Sequence, residues 1–184
     1  GMEHATRHLI YARFRHKFLE DLGVVGWSEP VRRLIGVGMV LGPDGQKMSK
    51  RRGNVINPDD VIAENGADAL RMYEMFMGPF GEEIAWNPQG VTGVARFLEK
   101  VGKLAKKVRA GAKDGEKVLR LLHQTIAKVT EDIENFRFNT AVSQLMILVN
   151  AWGEQEAVDG ENFAKFLVLL APFGPFLAEE LWAG

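Results

Sequence analysis

The stretch that decides how this chain reads is Gly45-Gln46-Lys47-Met48-Ser49-Lys50-Arg51-Arg52-Gly53-Asn54. Leu41-Gly42-Pro43-Asp44 leads into it with turn-forming residues, and Gly53-Asn54 leads out. Lys47, Lys50, Arg51 and Arg52 place four cations on one short loop. A cationic loop with backbone N–H groups to offer suits a polyphosphate whose negative charge grows during a reaction. Lysines act there as point charges on flexible stems and can follow a phosphate as it moves. The same residues also describe a solvated basic loop, and their types alone leave both readings open.

Working outward, Leu34, Ile35, Val37, Met39, Val40 and Leu41 form a β-prone run that predicts a strand feeding the loop. Gly36 and Gly38 allow close backbone approach within it. Beyond the loop, Asn57 reads as an N-cap, Pro58 as a first helical residue, and Asp59 and Asp60 as acids matched to the helix dipole. Asn65-Gly66 stops that helix, and a second one runs from about Ala67 to Met77, ending at Gly78-Pro79. Asp68 and Arg71 stand three apart and are expected to pair on its surface. Gly81, Asn87, Pro88 and Gly90 mark a domain boundary, with Trp86 as a core anchor. Upstream, Leu9, Ala12, Phe14, Phe18 and Leu22 have helical spacing, closed by Gly23.

From Val91 the chain reads as helix after helix. Val94, Phe97, Leu98, Val101, Leu104 and Val108 make one apolar stripe, and Val118, Leu122, Ile126, Val129 and Ile133 a second, stopped at Asn135. Phe138, Ala141, Val142, Leu145, Val149 and Trp152 make a third, ended by Gly153. Phe163, Phe166, Leu167 and Leu170 make a fourth, broken at Pro172, and Phe173, Phe176, Leu177 and Leu181 begin a last short piece. Amphipathic helices joined by short polar connections predict antiparallel neighbours in a bundle. The expected fold is mainly α: residues 1–88 as a small α/β part, then residues 89–184 as an antiparallel helix bundle.

The 184 residues are 46% hydrophobic, enough for one sizeable core or two small ones. No apolar run approaches the ~20 residues of a membrane span, and no charged-then-apolar leader is evident. Cysteine is absent, which excludes disulfides and cysteine-ligated zinc. A cytoplasmic location fits. The net charge of −1 carries no global nucleic-acid signal. Its distribution says more: residues 96–120 hold nine cations against three acids. That stretch is either a phosphate-facing side or a solvated helix face.

The string Lys47-Met48-Ser49-Lys50 followed by Gly53-Asn54 resembles the KMSKS signature of class I aminoacyl-tRNA synthetases, with Arg51-Arg52 in place of the usual Ser-Lys. Glu3-His4-Ala5, His8-Leu9, Tyr11-Ala12-Arg13-Phe14 and His16-Lys17-Phe18-Leu19 resemble one block of the leucyl-tRNA synthetases. Pro58, Val61, Ile62 and Gly66-Ala67-Asp68-Ala69-Leu70-Arg71 are similar to the stem-contact fold of that family. Gly90-Val91-Thr92-Gly93, Phe138-Asn139-Thr140-Ala141 and Leu170-Ala171-Pro172-Phe173 are similar to strings of its helical anticodon-binding domain.

The resemblance implies the end of a Rossmann-type catalytic domain followed by that helical domain. It implies ATP-dependent activation of leucine and transfer of the leucyl group to tRNA(Leu). Lys47 and Lys50 would neutralise the β- and γ-phosphates of ATP, with Lys50 the more direct contact. Met48 and Ser49 would border the nucleotide, and Glu3 and His4 the ribose. Arg51, Arg52, Lys100, Lys103, Lys106 and Lys107 would face tRNA. Mg2+ would accompany ATP, with no metal held by the protein itself. No His-x-Gly-His string, leucine pocket or editing domain is seen, so the chain is expected to be a fragment inactive alone. A free-standing tRNA-binding module and one subunit of a split synthetase are the alternatives.

Overall fold

A computed structural model of the chain describes residues 5–184. Capping residues set the helix starts much as their chemistry dictates. The Asn57 side chain accepts from the Asp59 N–H to open α2 (Pro58–Asn65), and α3 (Ala67–Phe76) follows after Gly66. Asn87 accepts from the Gln89 N–H to open α4 (Pro88–Ala105). Helix α4 therefore starts three residues before Val91, because Asn87-Pro88 acts as a cap and first turn rather than as loop. Then come α5 (Glu116–Glu134) and α6 (Phe138–Gly153), joined by so short a link that they pack antiparallel. Asp159 accepts from the Glu161 and Asn162 N–H groups to open α7 (Gly160–Leu170), and α8 (Pro175–Ala183) completes the bundle.

One continuous core runs from α3 to α8. Met72, Val94, Val101, Leu122, Leu145, Trp152, Phe166 and Phe173 are essentially removed from water. The rings of Trp152 and Phe166 meet edge to face at 5.6 Å, and Tyr73 and Trp86 at 5.0 Å. The fold is mainly helical with a small α/β remnant at the loop, as the sequence predicts. Trp86 is the core residue its surroundings suggested.

Three expectations change. The predicted strand over residues 34–41 shrinks to β1 (Val40–Leu41), paired in parallel with β2 (Ile84–Ala85). A strand needs a partner. Only a short run after α3 comes alongside, through the Gly38 N–H to Phe80 O at 2.9 Å and the Ile84 N–H to Met39 O at 3.1 Å. Gly38 is required there, since a Cβ would stand 1.7 Å from the Glu82 carbonyl oxygen. Asp68 does not pair with Arg71. It reaches instead across to α8 and accepts from the Phe176 and Leu177 N–H groups at 3.3 and 2.8 Å, where the first turn has orphan donors. Val108, expected on the first bundle helix, lies beyond its end at Ala105 and forms β3 (Val108–Arg109), paired in parallel with β4 (Val158–Asp159).

The predicted N-terminal helix forms as α1 (Ile10–Asp21), but it has no buried residue. Tyr11 is 71% and Phe14 74% exposed, and Ile10, Phe18 and Leu22 share that exposure. Arg13 holds Glu29 in a fork at 2.6 and 2.8 Å, and His16 Nε2 meets the Trp27 carbonyl oxygen at 2.7 Å. The Arg13 hydrogen bonds pull the Glu29 carboxyl down to about 2. His16 and Lys17 thus tie α1 to the connection after it.

Candidate functional site

The cationic loop is a fixed neck carrying a charged tip. Leu41 and Lys47 form an antiparallel bridge, the Gly42 N–H donates to Gln46 O at 2.8 Å, and Gly45 turns the chain with φ at 71°. Met48 then points inward, half-buried against the core. Ser49 starts a tight turn in which its carbonyl accepts from the Arg52 and Gly53 N–H groups at 3.1 and 3.2 Å. Its Oγ also accepts from the Arg52 N–H at 3.2 Å. Gly53 closes the turn with φ at 70°.

Two residues that the sequence reading treated as turn formers hold the neck together. Asn54 Oδ1 accepts from the Ser49 N–H at 2.8 Å, and its Nδ2 donates to the two Asp44 oxygens at 3.0 and 3.1 Å. The Gln46 N–H adds a bond to Asp44 Oδ1 at 3.0 Å. The Asn54 amide, then the Gln46 N–H, then the nearby Arg52 charge hold the Asp44 carboxyl below its usual range, against a small opposing effect of burial. Arg52 Nη1 donates to Gln46 Oε1 at 3.2 Å. An acid and an amide flanking the cations at either end were the available signal, and a reading directed at the cations passes over them.

Lys47, Lys50, Arg51 and Arg52 are all exposed on this loop, and Met48 anchors it. Chemically the tip can neutralise an oligophosphate but has no general base of its own. The four lysines assigned to RNA contact lie elsewhere, on and just beyond α4, and they divide. Lys103 and Lys106 are exposed. Lys100 Nζ donates to Asn150 Oδ1 at 3.1 Å. Lys107 Nζ donates to the Gly153 and Gln155 carbonyl oxygens, both at 2.8 Å, and so covers the C-terminal end of α6. Glu3 and His4 lie outside the described residues.

Beside the loop, a cleft of about 400 Å³ lies between β1, α3 and the turn after α3, lined by Val37, Met39, Met75 and Phe80 with Arg71 and Glu74. Burial raises the Glu74 carboxyl above its usual value, with the Arg71 charge opposing. None of the loop cations lines this cleft. Among the described residues no three His, Asp or Glu side chains converge to hold a metal. The four cations of the loop do not suit a divalent metal ion either.

Comparison with known proteins places this geometry. Residues 19–87 match the tRNA synthetases class I (I, L, M and V), and residues 116–184 match the anticodon-binding domain of tRNA ligases. The chain belongs to the class I tRNA synthetases of that I, L, M and V group. Within it, the whole chain is similar to the agnB2 LeuRS of Agrobacterium radiobacter K84, solved as a ternary complex with tRNA and LeuAMS, at 36% identity and a TM-score of 0.82. The chain spans 26% of the length of that leucyl-tRNA synthetase.

Proposed function

We propose that this chain is the part of a leucyl-tRNA synthetase that carries the end of the catalytic domain, the KMSKS-type loop and the helical anticodon-binding domain. It would act in ATP-dependent activation of leucine and transfer to tRNA(Leu), in the cytoplasm, with the change from catalytic to anticodon-binding part at about Pro88. The observation that carries this is the likeness to a LeuRS along the entire chain. The loop supports it: Lys47 and Lys50 stand exposed on a braced turn, where they would draw the β- and γ-phosphates away as the leucine carboxylate attacks the α-phosphate. Met48 and Ser49 set the base of that turn, and Glu3 and His4 keep the ribose role that the resemblance assigns. Positioning and charge neutralisation are sufficient for such chemistry.

Arg51, Arg52, Lys103 and Lys106 would meet a tRNA backbone, which their exposure supports, and Lys100 and Lys107 would do so while shared with structural bonds. The uncovered apolar face of α1 supports an incomplete catalytic unit, one finished by further catalytic-domain sequence in the same polypeptide or in a second subunit. Leucine-dependent pyrophosphate exchange tests the reading. The 184-residue chain alone is expected to show none, and exchange by the pure chain overturns the assignment. An enzyme complete in this segment is expected to exchange with leucine and to lose roughly 10²-fold in rate on Lys50→Ala. Preference for isoleucine, valine or methionine would move the chain to another branch of the group.

A further inference from the structure

The neck of the cationic loop holds an acid where a phosphate site gains nothing from one. Asp44 is exposed at the neck of the loop that carries Lys47, Lys50, Arg51 and Arg52, and it lies near enough to Arg52 to feel that charge, so its own charge weakens the field they create. Its bonds explain its place. Asp44 takes both of its oxygens to the Asn54 amide, and Asn54 in turn fixes the Ser49 N–H at 2.8 Å. The same Asn54 nitrogen approaches the Gln46 and Lys47 carbonyl oxygens at 3.4 and 3.3 Å. The backbone is shaped around this contact. A Cβ on Gly42 would stand 2.7 Å from both Asn54 Nδ2 and Asp44 Oδ1, so residue 42 must be glycine for the two to meet.

We propose that Asp44 and Asn54 are positioning residues, a clamp that presets the Lys47–Arg52 turn for a polyphosphate. The proposal rests on the phosphate reading of the loop given above. The clamp touches no phosphate itself. It joins the two ends of the loop across ten residues, so that Lys47 and Lys50 leave one rigid base instead of a floppy strap. Ordering the turn beforehand removes that cost from binding. Asp44 therefore contributes by geometry more than its charge subtracts.

The test uses the full 184-residue chain with inorganic tripolyphosphate, read by NMR shifts of the residue 47–53 amides at fixed ionic strength. Saturable shifts are expected in the wild-type chain. Asn54→Ala changes no charge and is expected to weaken binding by about fivefold, the loss of one net hydrogen bond. Asp44→Ala is decisive, because charge alone predicts tighter binding and the clamp predicts weaker. Asp44→Asn keeps an acceptor for both donors and is expected to recover part of the loss. Gly42→Ala displaces the clamp without altering either partner and is expected to weaken binding likewise. Hydrogen exchange at the Ser49 amide should quicken in the Ala variants. Tighter binding by Asp44→Ala, or wild-type binding by Asn54→Ala, overturns the clamp while leaving the phosphate reading intact. Absence of loop shifts in the wild-type chain removes the phosphate reading and the clamp with it.

Discussion

Asp132 closes the α5–α6 turn by itself. It is fully buried, and it accepts from Lys128 at 2.7 and 2.5 Å, from Arg137 Nε at 2.7 Å and from the Thr140 hydroxyl at 2.6 Å. Phe136, next to this knot, takes φ at 58°, a left-handed conformation that a non-glycine residue holds only under constraint. Burial pushes the Asp132 carboxyl up, but the bonds from Lys128, Thr140 and Arg137 together outweigh it and leave the value low. A folded value below the unfolded one means that the contribution is complete above the unfolded value of ~3.9. It is lost as pH falls through the folded value. Asp132→Asn is therefore expected to cost on the order of 2–3 kcal/mol at pH 7. The gap to wild type should narrow on acidification below about pH 4. Urea unfolding at both ends of that range checks it, and a gap independent of pH would contradict the ionic account.

At the scale of elements, α8 is held at its N-terminus by a residue of α3. The first turn of α8 has no side-chain cap of its own, and Asp68 supplies the missing acceptor. Asp68→Ala is expected to cost about 1 kcal/mol, as loss of a cap does. Arg71→Ala should stay within about 0.5 kcal/mol of wild type, since Arg71 is exposed and does not bond Asp68. Equal losses from the two, measured as urea midpoints, would restore the surface pair that spacing alone suggests. The lysines on and beyond α4 divide in the same way. Lys103→Ala and Lys106→Ala are expected to lower the salt slope of tRNA binding by about one each while leaving stability alone. Lys107→Ala should instead destabilise the chain by about 1 kcal/mol, because its ammonium covers the carbonyl oxygens of Gly153, at the end of α6, and of Gln155 just beyond it. Salt titrations of tRNA binding beside thermal unfolding separate the two groups.

Over the whole molecule, a packed body from α3 to α8 carries an arm that packs on little. Tyr11, Phe14, Phe18 and Trp27 are each more than half exposed. At ~150–250 Å² per fully exposed ring, Tyr11, Phe14 and Phe18, which share one side of α1, leave an apolar patch within the range of the largest that monomers show. Phe14→Glu with Phe18→Glu is therefore expected to leave the stability of this chain within about 0.5 kcal/mol of wild type. The same pair should abolish leucine-dependent exchange in an enzyme complete in this segment, where the face would be covered. A large stability loss in the isolated chain would mean that α1 packs on the body after all.

Much of this was determined by the sequence alone. Helix periodicity, the Asn57 cap and the string Lys47–Lys50 are local signals, each complete within a turn or two of chain. They were sufficient for the bundle, for the loop and for the family. The tertiary structure alone decided the rest. It reduced a β-prone run to two paired residues, because only a short partner comes alongside. It carried Asp68 away from Arg71 to backbone donors 108 and 109 residues distant. It separated lysines in water from lysines on carbonyl oxygens, and it brought residues 44 and 54 together as a clamp. Those outcomes depend on which distant groups arrive within hydrogen-bond reach, and no local pattern in the chain encodes that arrival.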